Sequence, residues 1–153
     1  MSKFVLLLVL FVIVSSKYEE MLKATKYCEV NNADIKAQAK KLKKSTVLDT
    51  AKNIFSYVQI NIKYERYANT RKGAVKTLKA KLGNCADQAH LLVALFRAAG
   101  IPARYVHGTN HYWTQCVVND KYYDCDPTHS HHSFGKRFDD GKKVLSYMNE
   151  LSY

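Results

Sequence analysis

The hydrophobic period of this chain changes once, at Gly100-Ile101-Pro102, and that change fixes the order in which helices and strands can occur. Before it, apolar residues recur at helical spacing. Ala89, Leu92, Val93, Phe96 and Ala99 form one buried stripe, and a glycine followed closely by proline is a stop signal. An earlier stripe, Val47, Ala51, Ile54, Phe55, Val58 and Ile62, follows Ser45-Thr46, which can cap a helix. Residues 34–42 and 74–81 read as two shorter helices, with 64–70 as a polar, aromatic connection. After Pro102 the period becomes two. Residues 103–107, 111–118 and 121–126 read as three strands, and beyond Pro127 the chain turns polar and histidine-rich. Helices first and an antiparallel sheet after them define an α+β architecture.

A length of 153 residues favours one domain, and a hydrophobic fraction of 47% is enough to build its core. The first residues stand apart. Lys3 precedes an apolar run from Phe4 to Val14, followed by Ser15-Ser16-Lys17. This matches a secretory signal, and the run is shorter than the roughly 20 residues a membrane-spanning helix needs. Residues 1–16 are therefore expected to be a signal peptide or membrane tether, and 17–153 the catalytic domain, in a secreted or cell-surface-associated protein. The net charge of +11 favours an anionic partner such as an acidic glycan or a membrane surface. No nucleic-acid-binding signature accompanies the charge, so no nucleic acid is expected.

Chemistry concentrates around Cys85, which opens the helix after Gly83-Asn84. Sulfur at a helix start lies near the positive end of the dipole and near free N–H groups. Those groups can also hold the oxyanion formed when a thiolate attacks a carbonyl. His111 begins the second strand and Asp126 ends the third. A thiol, an imidazole and a carboxylate are the parts of a nucleophile, its base and the base's orienter.

The hairpin gives an independent check. With Asn119-Asp120 as a two-residue loop, Val118 pairs with Lys121. Alternation along the strands then puts His111 and Asp126 on one face as diagonal neighbours. A three-residue loop would put them on opposite faces. The same register sends Cys116 and Cys125 to the other face, where they could bridge or remain two buried thiols. His90 reads as structural and His107 as a neighbour of the site. His129, His131 and His132 have ligand-like chemistry, but their spacing matches no standard Cys/His zinc arrangement. Neither a metal nor another cofactor is expected.

These motifs resemble the transglutaminase-like cysteine peptidase superfamily. The resemblance lies in Gly83-Asn84-Cys85-Ala86-Asp87-Gln88, in Arg97-Ala98-Ala99-Gly100-Ile101-Pro102, in His111-Tyr112-Trp113, and in Asp124-Cys125-Asp126-Pro127-Thr128. It implies the transglutaminase-like (papain-like) fold, with N-terminal helices packed on an antiparallel sheet. It also implies a Cys85–His111–Asp126 triad. Residues 64–67, Asn69-Thr70-Arg71-Lys72-Gly73-Ala74 and Ser133-Phe134-Gly135 are similar to archaeal pseudomurein endoisopeptidases, enzymes of methanogens and their viruses. The likeness runs from about Tyr27 to Phe138. It implies hydrolysis of an isopeptide between an acyl group and a lysine ε-amine in a cell-wall peptide crosslink, with Tyr64, Tyr67 and Asn84 as substrate contacts. Two rivals remain: an acyl transferase that passes the acyl group to a protein amine, and a non-enzymatic basic module that sits on a wall or membrane.

Overall fold

The computed structural model describes residues 17–137 and 139–152. The expected signal or tether, 1–16, lies outside them. Among the described residues no helix is long and apolar enough to cross a membrane. Among the described residues four α-helices precede a four-stranded antiparallel sheet: α1 (Ala33–Leu42), α2 (Val47–Asn61), α3 (Gly73–Ala80) and α4 (Cys85–Ala98). A parallel pair, β1 (Lys63–Tyr64) and β2 (Leu82–Gly83), brackets α3. The main sheet holds β3 (Ala103–Gly108), β4 (His111–Val118), β5 (Lys121–Cys125) and β6 (Val144–Met148), in the order β5-β4-β3-β6.

Local signals set the helix starts. The Asn32 side chain accepts the Asp34 N–H at 2.8 Å, and Thr46 Oγ1 accepts the Asp49 N–H at 3.0 Å. Each cap satisfies a donor that has no intrahelical acceptor. Helix α4 departs from the one-stripe expectation. It is buried on every side from Ala86 to Arg97, because α1, α2 and α3 cover one flank and the sheet the other. Its polar residues are paired accordingly. Arg97 donates to the Ala103 carbonyl at 2.9 and 3.1 Å and to the Asn149 carbonyl at 2.8 Å, tying α4 to the first strand of the sheet and to the chain just after the last. Burial holds His90 down to about 4, and its Nδ1 meets the Tyr105 hydroxyl at 2.8 Å. Val47, expected in the core, is 57% exposed as the first residue of α2.

The hairpin forms in the expected register, with Val118 opposite Lys121 and Thr114 opposite Cys125. Asn119 and Asp120 both take positive φ, at 52° and 62°, as a two-residue loop of this kind requires. Gly108 ends β3 directly beneath Trp113. A Cβ there would lie 2.4 Å from the indole, so glycine lets the two strands close over the ring. Strand β6 was not expected. It pairs with β3 through Tyr105–Met148 and Val106–Tyr147, and largely exposed residues line it.

Candidate active site

The start of α4 and the first residue of β4 face each other across a cavity of about 360 Å³. Tyr64, Arg66, Cys85, His107, His111 and Tyr112 line it, and Tyr67 and Asn84 complete one wall. Cys85 is half-buried, whereas Cys28, Cys116 and Cys125 are fully buried.

The helix start is held by a carboxylate. Asn84 caps α4 by accepting the Asp87 N–H at 2.9 Å, and its amide donates to the carbonyls of Tyr67 at 3.0 Å and Asn69 at 2.7 Å. Buried Asp87 then accepts from the Thr70 hydroxyl at 2.5 Å, from the Tyr67 hydroxyl, and from the N–H groups of Arg71, Lys72 and Gly73 at 2.9–3.2 Å. Burial raises the Asp87 carboxyl, but these donors outweigh it and hold it below the ordinary value. The result is a rigid loop, 67–73, folded over the mouth of α4. The first bond of that helix runs from the Gln88 N–H to the Asn84 carbonyl, at 2.9 Å. The amides of Cys85 and Ala86 precede it, at the helix start where N–H groups have no intrahelical acceptor.

On the sheet side, His111 Nε2 lies 2.8 Å from Asp126 Oδ2. That leaves Nδ1 for the Cys85 thiol, which lines the same cavity. Burial disfavours the charged imidazole, yet Asp126 and Cys85 together outweigh it and hold His111 up at about 9. Asp126 is fully buried. Burial raises its carboxyl, but His111, Thr128 and His132 pull it far below the usual carboxylate range. The arrangement can therefore keep a cationic imidazole beside a sulfur at neutral pH, which is what a thiolate nucleophile needs.

The structure thus brings Cys85, His111 and Asp126 together, with Tyr64 on the cavity wall at 44% exposure. Tyr67 and Asn84 also line the cavity, but their polar atoms are committed to Asp87 and to backbone carbonyls. They shape the wall instead of offering free donors. His107 stacks on Tyr112 with centroids 4.7 Å apart.

Three further residues, to which the sequence assigned no part in the triad, surround Asp126. Thr128 Oγ1 donates to Oδ1 at 2.6 Å, His132 Nδ1 donates to the Asp126 carbonyl at 3.0 Å, and Arg137 Nε donates to Oδ2 at 3.0 Å. Thr128 had a local signal, since a threonine two residues after an aspartate can close a turn. Arg137 had none, because a loop brings it back. His129 stacks on His131 and His132 meets both rings edge-on, and among the described residues no group of side chains is arranged to hold a metal. Cys116 and Cys125 are free, with sulfurs 3.9 Å apart.

Comparison with known proteins supports the same reading of the fold. A Putative Cysteine Protease from Cytophaga hutchinsonii superposes with a TM-score of 0.66 at 25% identity, over 73% of this chain and 42% of that one. The periplasmic domain of TgpA from Pseudomonas aeruginosa superposes with a TM-score of 0.55 at 17% identity, over 70% of this chain and 45% of that one. The chain therefore spans less than half the length of either structure. No curated protein sequence matches it. The sequence profile of the Transglutaminase-like superfamily matches residues 35–127, from α1 through the carboxylate that follows β5. With its helices, its antiparallel sheet and that match over more than half its length, the chain belongs to the transglutaminase-like superfamily.

Proposed function

We propose that this chain is a cysteine peptidase that hydrolyses acyl-lysine isopeptide crosslinks of a pseudomurein-type cell wall. The observation that carries the reading is His111, held at about 9 between Asp126 and the half-buried thiol at the start of α4. The Cys85 thiolate attacks the acyl carbonyl, and the amides of Cys85 and Ala86 receive the oxyanion. The tetrahedral adduct collapses to a thioester as His111 gives its proton to the departing lysine ε-amine. Neutral His111 then takes a proton from water, the hydroxide adds to the thioester carbonyl, and sulfur leaves as thiolate. Tyr64, Tyr67 and Asn84 form the wall against which the acyl chain lies.

The choice of substrate rests on the sequence likeness to pseudomurein endoisopeptidases. It also rests on a cavity with no acidic lining residue, in a chain of net charge +11. A wall glycan rich in uronic acid would attract such a protein. The expected site of action is outside the cell or at its surface. The test is digestion of purified pseudomurein sacculi, with the released peptides weighed. A free lysine ε-amine and a free carboxyl at each cut support hydrolysis. Incorporation of an added labelled amine in place of the carboxyl would assign acyl transfer instead, and no release at all would sink the peptidase reading.

The activity should also have an alkaline limb. His111 is raised above its ordinary 6.5, so its proton is present at neutral pH and lost as pH rises through about 9. Release of peptides is expected to fall through that range, as the leaving amine loses its proton donor. The stabilisation that the raised His111 contributes to folding is full below about 6.5 and is lost as pH rises through about 9. A rate still climbing at pH 10 would exclude His111 as the acid.

A further inference from the structure

Asp126 Oδ2 is shared between two cations. His111 Nε2 approaches it to 2.8 Å and Arg137 Nε to 3.0 Å. Arg137 is held there on two more sides. Its guanidinium lies 3.8 Å over the Trp113 ring, and its Nη2 donates to Asp140 Oδ2 at 3.2 Å. Trp113 in turn stacks on His111, with centroids 5.9 Å apart and planes at 27°, and its Nε1 donates to Asp124 at 2.9 Å. Arg137, Trp113, His111 and Asp126 therefore form one closed ring of contacts around a single carboxylate oxygen. Lys142 pairs with Asp140 on the outer side, at 2.9 Å.

We propose that Arg137 is a positioning residue that fixes the Asp126 carboxylate and limits how tightly His111 holds its proton. The argument is electrostatic. A carboxylate with one cationic partner gives that partner its full field, and a second cation on the same oxygen weakens it. A proton donor to a leaving amine works best when its proton is neither absent nor locked in place. The guanidinium cannot itself lose a proton in the working range, so its effect is constant where the imidazole titrates. The other titratable groups around the dyad are Cys85, Tyr64 and Tyr112 on the cavity side and His132 and His129 behind Asp126. Of these, His132 shares the same oxygen, with its Nδ1 3.4 Å from Asp126 Oδ2.

The test is the NMR titration of the His111 imidazole, followed from pH 6 to 11 in wild type, Arg137→Gln and Arg137→Lys. The glutamine variant is expected to titrate about half a pH unit or more above wild type, because Asp126 now faces His111 with one cation fewer. The lysine variant keeps the charge and should return the midpoint toward wild type. Peptide release by the glutamine variant at neutral pH should drop several-fold. Where that variant is unstable, Arg137→Met, whose stem still covers Trp113, replaces it. A midpoint that is unchanged or lower, or identical glutamine and lysine variants, would overturn the proposal and leave Arg137 a packing residue. The part played in turnover rests on the peptidase reading. The titration needs no substrate, so wild type that fails to cut any wall while the midpoints move as expected would remove the peptidase reading alone.

Discussion

Cys85→Ala is expected to lower peptide release from the wall by about 10⁶-fold while leaving the fold intact. The size follows from the role. Without sulfur no thioester can form, and what remains is the cavity, its oxyanion donors and bound water. The fold should survive because Cys85 is half-buried at the first position of α4, and the core begins beyond it at Ala86. The helix start is tied down by Asn84 and Asp87, neither of which uses the thiol. Peptides released from sacculi, counted by mass spectrometry beside a thermal unfolding curve, give both readouts. Undiminished release would move the function to the basic surface and make this a binding module.

His111→Ala is expected to cost a similar factor, on the order of 10⁶, and the Cys85→Ala/His111→Ala double variant should be no worse than either single one. Residues that act as one unit lose their whole effect when any essential member goes. Asp126→Asn should cost less, about 10⁴-fold, because the carboxylate orients and charges the imidazole without touching the carbonyl. The asparagine would also leave Arg137 Nε and the Thr128 hydroxyl around a neutral amide. A destabilisation of about 3–5 kcal/mol is therefore expected at neutral pH, as for breaking other buried charged pairs. Steady-state kinetics across the three variants and the double variant check the ordering. Additive losses in the double variant would mean that the thiol and the imidazole act separately.

The parts of the site legible in the sequence are those set by local rules. Gly83-Asn84 put Cys85 at the head of the last helix, Gly100 and Pro102 marked its end, and the two-residue loop at Asn119-Asp120 fixed the hairpin register. That register put His111 and Asp126 on one face, and their atoms meet at 2.8 Å. The illegible parts depend on distant chain. Strand β6 carries no clean alternation, since Val144, Leu145 and Tyr147 are all largely exposed, and its partner β3 lies far earlier in the sequence. The Asp87 hub gathers donors from residues 67–73, which carry no periodic signal. Arg137 reaches Asp126 from the polar, histidine-rich stretch beyond Pro127, which carries no periodic signal. For Tyr67 and Asn84 the right neighbourhood was legible, but their polar atoms are used to build the wall of the cavity.

The most direct test of the central claim, that Cys85 is a nucleophile activated by His111, is its alkylation rate. Iodoacetamide labelling at pH 6.5, mapped by mass spectrometry, should be run on wild type and His111→Ala. Cys85 is expected to react first by a wide margin, and at least about tenfold more slowly in the variant. Cys28, pushed up to about 11 by burial, and the sealed pair Cys116 and Cys125 should stay unmodified while the protein is folded. A Cys85 that reacts no faster than these buried thiols, or at the same rate with and without His111, would contradict the account.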